Sequence, residues 1–188
     1  MRTFLAVDIS DDIREAISHF IEELKERGDG VKWVSSENIH VTISFFGEVN
    51  EVALKIIIGS TKEAALRVRD FSMAVRSFSA FPSKTNPRVL WLGVEDGGAL
   101  ERLYDAVSSG TAGIGEEKRG RYTPHLTIGR VRRGRSPGRA VLTALNEQGD
   151  TDFGKCGISE TVLYESVLGR QGPRYSVLER FPLGHGVK

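Results

Sequence analysis

Two of the four histidines in this sequence share a local pattern. IHVTISFFG (residues 39–47) and PHLTIGR (residues 124–130) each place a threonine two positions after the histidine, as His40/Thr42 and His125/Thr127. Side chains alternate along a strand, so each histidine shares a face with its threonine. Ile39, Val41, Ile43 and Phe45 take the opposite, apolar face of the first strand, with Ser44 beside His40 and Thr42. Imidazole titrates near neutrality, at about pH 6.5, and can take a proton from one group and deliver one to another. A neighbouring hydroxyl can hydrogen-bond a phosphoryl oxygen and stabilise charge that builds there in the transition state. Two such strands facing each other across a cleft would supply an acid, a base and two phosphate donors, with no metal or other cofactor required. The reaction they suit is phosphodiester cleavage, with water entering on one side of phosphorus and an alkoxide leaving on the other. One His-x-Thr carries little information; its repetition on two apolar-backed strands carries much more.

The other candidates are weaker. His19 falls on the polar face of a predicted helix and His185 in the terminal GHG. Trp33 and Trp91 read as packing residues, whereas Phe46, with the parity of His40, is either core or a ring that leans over a bound base. Arg130 lies five positions after His125, so strict alternation turns it away from the cleft unless the strand bulges. Between positions 116 and 139 stand eight basic residues, Lys118, Arg119, Arg121, Arg130, Arg132, Arg133, Arg135 and Arg139, against two acidic ones. That segment carries +6 in a chain of net charge +1. It is either a solvated loop or, given its place around His125, a rim that attracts the phosphates of a nucleic acid.

Strands are predicted at 3–9, 31–34 and around His40, then at 71–81 and 87–96, at the second motif, and at 159–168 and 174–183 with a turn at GRQGP. Helices are predicted at 11–27, capped by Ser10 and striped by Ile13, Ile17, Phe20, Ile21 and Leu24, at 51–68 behind Asn50, and at 99–108 and 139–147. This alternation excludes a helical bundle and argues for a mixed α/β architecture, with the repeated motif strand suggesting two similar lobes. Hydrophobic and charged contents of 39% and 27% suit a water-soluble domain, and the lone Cys156 allows no internal disulfide. With no signal-peptide pattern and no membrane-length apolar run, the expected location is the cytoplasm.

IHVTISFFGEV and RYTPHLTIGRVR resemble the two HxTx motifs (40–43 and 125–128) of the two-histidine phosphoesterase superfamily. In particular they look like those of the LigT-like RNA 2′,3′-cyclic phosphodiesterases, formerly called 2′-5′ RNA ligases. The likeness extends to MRTFLAVDIS, FPSKTNPRVLWLGV and LYESVLGRQGPRYSVLERFPL. It implies a single bilobal α+β domain over residues 1–188, with two pseudo-twofold antiparallel-sheet lobes and outer helices around a central cleft. It also implies metal-independent hydrolysis of an RNA terminal 2′,3′-cyclic phosphate to a 2′-phosphomonoester. His40 would be the proton donor and His125 the proton acceptor, with Thr42, Thr127 and Arg130 binding the phosphate. The implied partners are RNA ends, tRNA fragments among them, met by a monomer away from membranes. Alternatives with the same fold are a 2′-5′ RNA ligase, a 2′-5′ phosphodiesterase acting on tRNA halves or oligoadenylate, and a non-catalytic RNA-binding module. One departure is Ser44, where many relatives carry a lysine or arginine, which predicts weaker RNA contact on that side.

Overall fold

A computed structural model describes residues 1–26, 28–115, 121–147, 151–169 and 172–184. Its first half runs β1 (Arg2–Val7), α1 (Asp11–Leu24), β2 (Val31–Trp33), a 3₁₀ turn at Ser36–Asn38, β3 (Val41–Glu48), α2 (Glu51–Arg67), β4 (Phe71–Pro82) and β5 (Pro87–Glu95). The second half runs α3 (Ala99–Gly110), β6 (His125–Val131), α4 (Arg139–Glu147), β7 (Asp152–Ile158), β8 (Glu160–Gly169) and β9 (Gly172–Pro182). Lys118, Arg119, His185 and the centre of the GRQGP turn lie outside the described residues.

The helices form where the apolar stripe and caps require. All five stripe residues of α1 are buried, and Phe20 packs edge-on against Phe78 of β4 and Phe153 of β7 at 5.2 Å each. Ser10 occupies the N-cap position of α1 without a side-chain cap bond, while Asp11 and Asp12 place negative charge at the positive end of the helix. Asn50 caps α2 by accepting from the Ala53 backbone N–H at 2.9 Å. Helix α1 ends at Leu24, short of the expected end at Arg27, because Lys25 is already extended (φ −68°, ψ 125°); Arg27 itself lies outside the described residues.

Strand β7 was not anticipated from the sequence. Phe153 is an extra residue in its pairing with β4, and Gly154 has φ +104°, so DFGKCGI does not alternate and hides its strand character.

One sheet runs through the molecule in the order β7-β4-β5-β6-β3-β1-β8-β9, with β2 paired to β6. All pairings between these strands are antiparallel. The two motif strands β6 and β3 lie side by side at the centre of that order. The two expected lobes are thus halves of one sheet, joined along the chain of strands at the pair Val41↔Leu126. Helix α1 follows β1 yet packs on β7, in the other half, and α3 follows β5 yet packs on β3. Because the halves exchange elements in this way, no linker stretch separates them. Val41, Ile43, Leu126 and Ile128 are fully buried behind the two motif strands. No helix of the described residues is long and apolar enough to cross a membrane.

Candidate active site

His40 stands immediately before β3, and its Nδ1 lies 2.8 Å from the carbonyl oxygen of Asn38. A carbonyl only accepts, so Nδ1 carries the hydrogen and Nε2 is the basic nitrogen. Nε2 lies 3.1 Å from Thr42 Oγ1, which therefore donates to it when the ring is neutral. His125, at the start of β6, repeats the device: its Nδ1 lies 2.7 Å from the carbonyl oxygen of Thr123, again two residues upstream. Both motifs therefore point Nε2 away from their own backbone.

The two imidazoles have different surroundings. His40 stacks on Phe4 (centroids 4.9 Å apart) and meets the edge of Tyr175 at 5.5 Å. Burial pushes its pKa down from 6.5 to about 4; the Asn38 carbonyl and Asp8 oppose this, and Arg14 and His125 add to it. The influence of His125 places the two rings within electrostatic reach of each other. His125 is edge-on to Phe81 at 5.2 Å and to Trp91 at 6.0 Å. Tyr122, three residues before His125, donates through its hydroxyl to the Thr42 carbonyl at 3.1 Å, tying the approach to one motif onto the strand of the other.

A cleft of about 880 Å³ opens beside these strands. His40, Thr42, Thr127 and Arg130 line it, and His125 shares the face of Thr127 on β6 without being part of the lining. Arg130 gets there through a bulge. Leu90 pairs with Gly129 and Trp91 with Thr127, so Ile128 is an extra residue and the parity of β6 flips after it. Strand β3 does the same at the same motif position. Leu5 pairs with Ser44 and Ala6 with Thr42, leaving Ile43 extra. Straightening β3 would turn Phe46 out of the core, and straightening β6 would turn Val131 out and Arg130 in, forfeiting about 1.5–3 kcal/mol of side-chain burial in either strand, so the core itself holds the bulges.

These bulges correct three expectations. Phe46, anticipated as a possible base contact, is a core residue with 2% exposure, whereas Phe45, expected in the core, lines the cleft under the guanidinium of Arg2 at 4.7 Å. Ser44 is buried and outside the lining, so the residue type there says little about contact in the cleft. Trp91 packs as expected, stacked on Phe81, but Trp33 lines the cleft while its indole N–H donates to Asp29 at 3.0 Å.

Sequence reasoning missed the second wall. Phe4, Arg2, Leu168, Arg174 and Tyr175 come from β1 and the β8–β9 hairpin. The cationic groups of the cleft are Arg2, Lys32, Arg130 and Arg174, against the single acid Glu37, and none of the four is in an ion pair among the described residues. Arg132, Arg133 and Arg135 of the anticipated basic rim are outside the lining. No local signal marks Phe4 or Tyr175, which become site residues only through strand order.

A family model described as LigT like Phosphoesterase matches residues 7–91. An RNA 2′,3′-cyclic phosphodiesterase of Thermotoga maritima is 36% identical over 95% of this chain and 93% of its own length. The chain belongs to the LigT-like phosphoesterase family. Solved structures share this architecture. The protein TT0787 of Thermus thermophilus superposes with a TM-score of 0.83 at 26% identity, covering 98% of this chain and 99% of that one. E. coli LigT in complex with 3′-AMP superposes with a TM-score of 0.75 at 25% identity, covering 97% of each chain.

Proposed function

We propose that this protein hydrolyses the 2′,3′-cyclic phosphate at an RNA 3′ end to a 2′-phosphomonoester, with His40 and His125 as its proton carriers. The observation that carries the reading is the twofold repetition of one device on adjacent strands: an imidazole anchored through Nδ1–H to the carbonyl two residues upstream, with a threonine two residues downstream. The activity named for the Thermotoga maritima relative agrees with it.

In this mechanism His125 Nε2 takes a proton from water as the water oxygen bonds to phosphorus. The P–O3′ bond breaks in line, and His40 Nε2–H protonates the departing 3′ oxygen. The hydroxyls of Thr42 and Thr127 and the guanidinium of Arg130 hold the non-bridging oxygens, where charge increases in the transition state. His40 is neutral at pH 7 in the empty cleft, but the anionic phosphate raises its pKa, so substrate binding loads the acid. Once Nε2 is protonated it no longer accepts from Thr42, and that hydroxyl turns to the phosphate. The cationic lining suits the chain phosphates of RNA fragments, tRNA halves included, and a monomer suffices because one chain supplies both motifs.

The test is turnover of a short RNA ending in a 2′,3′-cyclic phosphate with EDTA present, the product being resolved as 2′- or 3′-phosphate. A single 2′-phosphate product is expected. Binding without turnover would make the protein an RNA-binding module, and a 3′-phosphate product would reverse the pose.

A further inference from the structure

The orientation of His40 depends on the carbonyl of Asn38, and that carbonyl sits at the end of a 3₁₀ turn only three residues long. Turns this short have poor hydrogen-bond geometry and hold little by themselves. The turn is braced from two sides. Arg14 of α1 donates to the carbonyls of Ser36, Ile39 (3.2 Å) and Ile9 (3.5 Å), which grips the residues flanking Asn38 but not its own carbonyl. The Asn38 side chain supplies the rest. Its Nδ2 donates to the Pro173 carbonyl on β9 at 3.1 Å and to Ser35 Oγ at 3.1 Å, using both amide hydrogens. The Pro173 carbonyl can only accept, which fixes which end of the amide faces it.

We infer that Asn38 is a positioning residue for the acid: its carboxamide fastens the His40 turn to the β8–β9 hairpin and so fixes the Nδ1–H tautomer that leaves Nε2 facing the cleft. The same stretch of β9 carries Arg174 and Tyr175 into the cleft, and Tyr175 also meets the His40 ring. The wall facing the RNA chain and the proton carrier are therefore joined through one side chain, 135 residues apart in sequence. The other motif has a different brace, because Tyr122 ties its approach segment to Thr42. Asn38 touches neither the reacting phosphate nor the leaving oxygen in this scheme; it acts through His40. The inference rests on the proposed function for its kinetic part only.

The experiment uses the isosteric Asn38→Asp, which cannot donate to Pro173, and Asn38→Ala as a second variant should the first not fold. Imidazole ¹⁵N spectra of the full-length protein report the His40 tautomer directly. The wild type should show Nδ1–H alone, and the variants a mixture of tautomers. With a cyclic-phosphate RNA, kcat should fall roughly 10- to 100-fold while KM stays within about threefold, the pattern of a misdirected proton carrier. Variants that keep the pure Nδ1–H form, or that keep wild-type kcat, overturn the assignment, as does a loss confined to KM. Should the wild type itself fail to turn over the RNA, the proposed function falls, and the tautomer spectra alone decide the role of Asn38.

Discussion

Acid should destabilise this protein through His40 in particular. Burial sets its pKa at about 4 in the folded chain with an empty cleft, against about 6.5 for an unfolded chain. Between those values the unfolded chain binds the proton and the folded chain does not. The contribution of His40 is therefore fully present above pH 6.5 and is lost as pH falls toward 4. With a shift of this size the loss at pH 4, where the folded group is half titrated, is about 3 kcal/mol. Urea unfolding of the wild type and His40→Gln at pH 7, 5.5 and 4 isolates it, because the carboxylates and other histidines titrate in both proteins. Between pH 7 and 4 the variant should lose about 3 kcal/mol less than the wild type. Parallel losses within about 0.5 kcal/mol, or an NMR titration placing His40 near 6.5, would refute the claim that Phe4, Tyr175 and the cleft wall desolvate this ring.

His40 also shapes the pH dependence of turnover: one limb of the kcat/KM profile should fall near pH 4, and the corresponding limb of kcat at higher pH, since bound phosphate raises the same ionisation. Coincident limbs near 6.5 in both profiles would contradict this. His40→Ala and His125→Ala should each lower kcat at least ~10²-fold, with His19→Ala as the unaffected control in the same assay. Lys32→Ala with Arg174→Ala should weaken an RNA oligonucleotide more than a mononucleoside cyclic phosphate and flatten the salt dependence of binding, by roughly 0.7 in log–log slope per lost contact. The triple change Arg132→Ala, Arg133→Ala, Arg135→Ala should do less, and the reverse ranking would return the RNA track to the loop. A Cβ at Gly129 would meet Val31 at 2.9 Å and Trp33 at 3.2 Å, so Gly129→Ala should push β2 off β6 and show as a lowered thermal midpoint with a raised KM.

Local chemistry was enough to expose the two His-x-Thr strands, the apolar stripe of α1, the Asn50 cap and the strands β4 and β5. Each of these depends on residues a few positions apart, where the 2.0 and 3.6 periods and the cap rules operate. The motif histidines could be picked out for the same reason. What tertiary structure decided is which side chains join them. Whether Arg130 or Phe45 enters the cleft depends on bulges at Ile128 and Ile43, and a bulge exists only relative to a partner strand, here β5 and β1. The parity rule therefore assigned Phe45 and Phe46 to the wrong faces. The lowered pKa of His40 was equally beyond local reading, because its desolvating neighbours, Phe4 and Tyr175, stand 36 positions before it and 135 after it and meet only through the β3-β1-β8-β9 strand order. Periodicity records the face a residue would take in a perfect strand, and the long-range pairing of strands determines how far the real strand departs from it.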